Sequence, residues 1–287
     1  MLAIFKRELR AYFLSPIGYI FMSLFLLVGG VLFAFGNLTS LSSQYTGFLG
    51  SILFMFLLAV PVLTMRLFTD EMRMRTDQLL LTSPVRIVDI VIGKYLAALL
   101  VFFITMIITV FYAILIAIYG DLDTWQTVGG YIGFFLVGCA FISVGLFVSA
   151  TTENQVVAAI VTFSALLLAW IMDAIQAGVP SDQTSGIIFA GVIALAVAAW
   201  IYFSTKSTYL GGGVLIVLAL VILVLALFDK GIFLGFIGHV LAWFSLLKRY
   251  QDFTRGLLKL DSIIYYLSFS AFFLFLTVRL IEKRRWS

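Results

Sequence analysis

Residues 69–84 read TDEMRMRTDQLLLTSP, in which Asp70, Glu71, Arg73, Arg75 and Asp77 crowd carboxylates and guanidiniums between apolar flanks. The chemistry this set suits is recognition: fixed charges of both signs on a short element matter most to a partner molecule. Glu71 precedes Arg75 by four residues, as Arg73 does Asp77, a spacing that supports a helix in water. Met72, Leu79 and Leu80 give that helix an apolar stripe. About 13 residues make it roughly 20 Å long. It is too charged to enter lipid and is bounded by Arg66 and by Ser83-Pro84, so the expectation is a helix over residues 70–82 lying flat on a membrane surface. The plainer alternative is a solvated loop with incidental charges.

Other reactive residue types are sparse. Gly93-Lys94 is the sole Gly-Lys pair, and it lacks the preceding glycine and following Ser or Thr of GxxxxGK[ST], so nucleotide binding by that motif is not expected in this chain. His239 is the single histidine, no HExxH occurs, and an intramembrane zinc protease is disfavoured; His239 reads as a polar interfacial residue. Cys139 excludes an internal disulfide and reads as a packing residue. Asp173 stands near a span end, where solvation accounts for it. No Ser/His/Asp set can be defended, and no cofactor or metal is expected in this chain.

The elements that must carry the charged segment are membrane spans. The 287 residues are 63% hydrophobic and 11% charged, against about 25% charged in soluble domains. Apolar stretches of roughly 20 residues recur throughout, which predicts an all-α polytopic membrane protein without a soluble domain. The net charge of +4 does not point to nucleic acid, because the cations cluster beside apolar spans in the positive-inside pattern. Lys6, Arg7 and Arg10 before an apolar run imitate a signal peptide, but the run from Ile17 to Phe35 exceeds a signal core.

Eight spans are expected, near residues 17–36, 48–68, 87–119, 127–150, 156–175, 187–204, 210–228 and 262–281, within one permease-like domain. Residues 1–15 form a basic amphipathic interfacial helix, and Ser15-Pro16 restarts the chain as a new helix. Pro61 predicts a kink, and Gly129-x-x-x-Gly133 permits close helix approach. Residues 229–261 read as short amphipathic helices on the outer face. Both termini then lie inside, and the short outer loops are free of Lys and Arg apart from the cluster Lys230, Lys248, Arg249, Arg255 and Lys259.

The segment RLFTDEMRMRTDQLLLTSPVRIVDIVIGKYLAALL resembles the cytoplasmic segment of type-2 ABC exporter permeases. Glu71, Arg73, Thr76, Asp77, Leu79, Leu80, Pro84, Gly93 and Lys94 match that pattern. Arg75 departs from it, where the family often has Gly, and Asp77 stands where Glu is common. FKRELRAYFLSPIGYIF and YYLSFSAFFLFLTVRLIEKRRW are also similar to these proteins, in particular to the gliding-motility-associated and copper-maturation-type permeases.

The resemblance implies a subunit of an ABC transporter in a bacterial inner membrane, working with ABC ATPase subunits that carry ATP and Mg, and with a second, identical or homologous permease. Residues 69–84 would be the coupling helix, with Glu71, Arg73, Thr76, Asp77 and Leu80 contacting the ATPase, and residues 1–15 the connecting helix. The family usually has six spans, so residues 186–228 would be an added helical hairpin. Spans one, two and five would face the dimer axis, bringing Phe21, Phe25, Phe54, Met55, Leu58, Phe163 and Leu167 toward any substrate path. An ATP-driven signalling or assembly role without a solute is the alternative. A secondary transporter fits less well, because the spans are almost free of ionisable residues and show no clear repeat.

Overall fold

The computed structural model describes residues 1–76, 85–180, 182–206, 208–228 and 233–286, and within them every regular element is helical. Two compact units divide the chain: Met1–Leu168 with Leu246–Ser287, and Ala169–Ser245. In chain order the helices are α1 (Leu2–Leu14), α2 (Pro16–Phe33, continued by a π turn at Ala34–Leu38), α3 (Tyr45–Ile52) and α4 (Phe56–Thr64). Then come α5 (Thr69–Arg73), α6 (Ile87–Tyr119), α7 (Thr124–Ser149) and α8 (Gln155–Gly178). The remainder are α9 (Gln183–Thr205), α10 (Thr208–Phe228), α11 (Phe236–Phe244), α12 (Leu246–Thr254) and α13 (Leu260–Trp286).

Among the described residues, seven helices are long and apolar enough to cross a membrane: α2, the α3–α5 run, α6, α7, α8, α9 and α13. The chain is a polytopic all-α membrane protein. The eighth expected span, α10, is 21 residues long and is not among the seven; within it Gly212–Leu225 is a shorter apolar helix.

In the first unit α7 is the central helix, with α4, α6, α12 and α13 packed around it. Asp123 caps its start by accepting from the amides of Trp125 and Gln126. Phe56 of α4 anchors the core, with ring centroids 4.7 Å from Phe134, 5.4 Å from Phe102 and 6.1 Å from Phe25. Gly129 and Gly133 do permit a close approach, but to α12: a Cβ at either would strike the backbone or ring of Phe253. The two glycines thus seat a short amphipathic helix at the start of α7. The expected cluster of outer cations lies partly there, and two of its members have local partners. Lys259 pairs with Asp252 at 3.0 Å, and the Arg249 guanidinium lies 3.5 Å from the centroid of the Tyr265 ring.

In the second unit α9 and α10 form a hairpin. Gly186, Ala190, Ala194 and Ala198 line the buried face of α9 at four-residue spacing, so small residues let the neighbouring backbone come near. Lys206 ends α9 with φ +53°.

Three expectations about local structure change. The helix predicted over residues 70–82 is five residues long within the described set, ending at Arg73, and Arg75 stands beyond it at φ +55°. Glu71 does not pair with Arg75; partners from α1 and α6 take its carboxylate, and these outweigh a weak solvent-exposed pair on one helix. Ser15 breaks the chain in extended conformation with Pro16 at the first helical position, as expected, yet makes no side-chain cap bond. The segment from Asp77 to Pro84 lies outside the described residues.

Candidate functional site

The charged end of the first unit gathers α1, the α4–α5 junction, the start of α6, the end of α7 and the end of α13. Its centre is Lys94, two turns into α6 and 1% exposed. A charge buried so fully must be paired and hydrogen-bonded. The Nζ of Lys94 meets Glu71 at 3.0 Å and Glu8 at 3.1 Å, donates to the Leu67 carbonyl at 2.6 Å, and lies 5.1 Å from the Phe68 ring centroid. Leu67 and Phe68 lie where the chain leaves α4, so Lys94 also satisfies a carbonyl at that break.

Arg7 closes the set from outside, 2.5 Å from Glu71 and 2.6 Å from Glu8. Two cations and two carboxylates from three helices thus form one neutral cluster. Burial by itself would lower the Arg7 guanidinium's pKa, but the carboxylates of Glu8 and Glu71 outweigh it and hold the value above the ordinary arginine range. A second pair braces the same segment: Arg66 meets Asp70 at 2.5 Å, and Gln155 at the start of α8 donates to the other Asp70 oxygen. Arg284 of α13 reaches the Met72 sulfur and the Thr151 carbonyl.

Packing explains why α1 can lie here. A Cβ on Gly93 would come within 3.1 Å of the Ile4 side chain, so glycine lets α1 settle against α6 one residue before the buried lysine. Tyr12, buried, donates to the Leu63 carbonyl at 2.8 Å, and burial raises its phenol well above the usual value. Beside these contacts a cleft of about 570 Å³ opens, lined on its polar side by Arg7, Glu8, Arg66, Asp70, Glu71 and Lys94.

Of the five residues expected to contact a partner, Glu71 is largely enclosed and tied into the cluster, whereas Arg73 and Thr76 are exposed. Asp77 and Leu80 lie outside the described residues. The set expected at a dimer axis divides. Phe21, Phe25 and Met55 are buried in the core of this chain, where the aromatic cluster uses them. Phe54 and Leu58 stand half exposed on one face, above Gly47 and Ser51, which are exposed as well. Phe163 and Leu167 on α8 are part-buried. The side chains of Asp173 and His239 are outside the described set, and Cys139 is buried and free. The reading of residue types overlooked Glu8. It is the sole acid of α1, set between Arg7 and Arg10 on an otherwise basic helix, and that isolation was the available signal.

Residues 2–184 match the family described as ABC-2 family transporter protein. The chain belongs to that family. The match runs from α1 through the first residues of α9 and so takes in the whole α1–α5–α6 cluster. No curated protein and no solved structure matches. As an ABC-2 family protein the chain is a membrane-transport component, a multi-pass permease of an ABC transporter, and its family works with an ABC ATPase.

Proposed function

We propose that the protein is the membrane subunit of an exporter, in which ATP hydrolysis on separate ATPase subunits drives a substrate through a pair of permeases. The observation that supports this most directly is the ionic cluster on Lys94. It fixes the short charged helix α5 to an interfacial helix and to the first turns of a long span. A stiff link of this kind passes a rigid-body motion from a docked subunit into the bundle. In this reading α5 is the first part of the coupling helix, Arg73 and Thr76 face the ATPase together with Asp77 and Leu80, and Glu71 holds the helix in place from within. ATP and Mg reside on the ATPase.

The charged end then faces the cytoplasm of a bacterial inner membrane with both termini inside, in keeping with Arg7, Arg66, Lys94 and Arg284 sharing that end. The second permease packs on the face bearing Phe54 and Leu58, with Phe163 and Leu167 near the pathway. A path bounded by apolar and aromatic groups favours a lipid-like or amphipathic substrate over a small ion.

The experiment is purification of the full-length tagged chain from its native membrane in mild detergent. The expected result is an ATP-hydrolysing subunit in equal amount, whose activity rises with the permease present. A chain recovered repeatedly without any such subunit sinks the proposal.

A further inference from the structure

The two signs of charge on the α5 segment face opposite ways. Glu8 and Glu71 turn inward onto Lys94, while Arg66 and Gln155 take up Asp70. Arg73, Met74, Arg75 and Thr76 are all exposed, Met74 at 66%. Among the described residues neither Arg73 nor Arg75 meets a carboxylate. What the end of α5 and the turn after it present outward is therefore Arg-Met-Arg, two guanidiniums around an apolar thioether.

The backbone supplies an independent observation. Arg75 holds φ +55° just past the end of α5, a conformation that strains an L side chain and suits glycine. The helix end needs only that backbone shape: the Met74 amide bonds the Asp70 carbonyl at 3.0 Å and the Thr76 amide bonds the Glu71 carbonyl at 2.9 Å. Glycine would close the helix equally well without strain. What arginine adds is its side chain, and strain kept at an exposed position marks a functional constraint.

We infer that Arg73, Met74 and Arg75 form a contact tip that enters an acidic-walled groove with an apolar floor on the ATPase subunit. The inference rests on the ATPase-coupled reading above and adds the partner's chemistry. Guanidiniums pair with carboxylates through two parallel bonds, and Arg and Met are both enriched in interface cores. A basic groove would bring like charges together out of water. A shaped groove also suits an exposed methionine set on a strained turn better than a fluid layer of lipid headgroups, for which the exposed Lys6 and Arg10 of the amphipathic α1 are better placed.

The test compares full-length wild type, the Arg73→Glu/Arg75→Glu double variant and Arg75→Gly. Each is reconstituted in nanodiscs with and without phosphatidylglycerol and titrated with the ATPase that co-purifies with wild type. Wild type is expected to bind more weakly as salt rises. The double reversal is expected to lose about tenfold or more in affinity, and Arg75→Gly about three- to tenfold, with thermal unfolding of Arg75→Gly equal to wild type or higher. Unchanged affinity in both variants overturns the acidic groove while leaving the ATPase partnership intact. Variants that keep the ATPase but lose a preference for phosphatidylglycerol assign the tip to lipid and overturn the proposal. Wild type that binds no ATPase at all removes the underlying reading as well.

Discussion

Lys94 Nζ lies 3.0 Å from the Glu71 carboxylate, and that ammonium is also 3.1 Å from Glu8, so one buried cation on α6 ties α5 to α1. The geometry makes Glu71 a structural partner, which changes what its substitution does. Glu71→Arg sets a third cation beside Lys94 and Arg7, and loosens the helix before any ATPase meets it.

Removing the central cation should cost far more than removing the outer one. Lys94→Met leaves Glu8 and Glu71 enclosed without their ammonium, and about 3 kcal/mol of stability is expected to go. Arg7 is 52% exposed, so Arg7→Ala is expected to cost less than about 1 kcal/mol. Thermal unfolding of the two variants in one detergent gives the comparison; equal losses refute the cluster's inside-out order.

The seat of α1 on α6 depends on a missing side chain. Gly93→Val should push Ile4 away and destabilise by about 1–3 kcal/mol, with proteolysis of the N-terminal helix becoming faster. Adding Ile4→Ala frees the space and is expected to restore much of the loss. No rescue by Ile4→Ala means that Gly93 matters for some reason other than this contact.

Burial raises the Tyr12 phenol above its ordinary value. A group whose folded-state pKa is raised stabilises fully below its unfolded value, about 10 for tyrosine, and loses that contribution as pH climbs toward the folded value. Wild type should therefore lose stability from about pH 10 upward more steeply than Tyr12→Phe. At neutral pH the variant should be weaker by about 1 kcal/mol, for the lost bond to Leu63. Parallel unfolding curves from pH 7 to 11 are the contrary result.

Orientation is open to direct labelling. In a Cys139→Ser background, cysteines at Ser40 and Asp121 are expected to react with an impermeant thiol reagent added outside, and cysteines at Arg73 and Glu153 only after the membrane is opened. Lys206→Cys decides the hairpin: outside labelling there removes the α9–α10 hairpin from the spanning set.

Seven of the eight expected spans and the main break points were legible because they follow from composition and from residues with strong backbone preferences. Ser15-Pro16 interrupts the chain where a proline fits only the first helical turn. The length of α5 was not legible. The i,i+4 charge pattern argues for a helix in water, whereas Glu71 finds better partners 64 residues upstream in Arg7 and downstream in Lys94, and no local pattern reports a long-range pair. Phe21, Phe25 and Met55 show the same limit from the apolar side. Residue type cannot tell a core-facing phenylalanine from a pathway-facing one in a helix that is hydrophobic all round; only the arrangement of neighbours around Phe56 does.

The order of the cluster along the chain bears on biogenesis. Glu8 and Glu71 both precede Lys94 in the sequence, and synthesis runs from the N-terminus. When the ribosome delivers the lysine at the head of α6, the two counter-ions that let it sit out of water have already emerged. An ammonium near the head of a span is otherwise a hazard during insertion, because it favours staying in the aqueous layer. Here the anionic socket exists before the plug arrives, so the third membrane-crossing helix can take its final depth as it leaves the translocon.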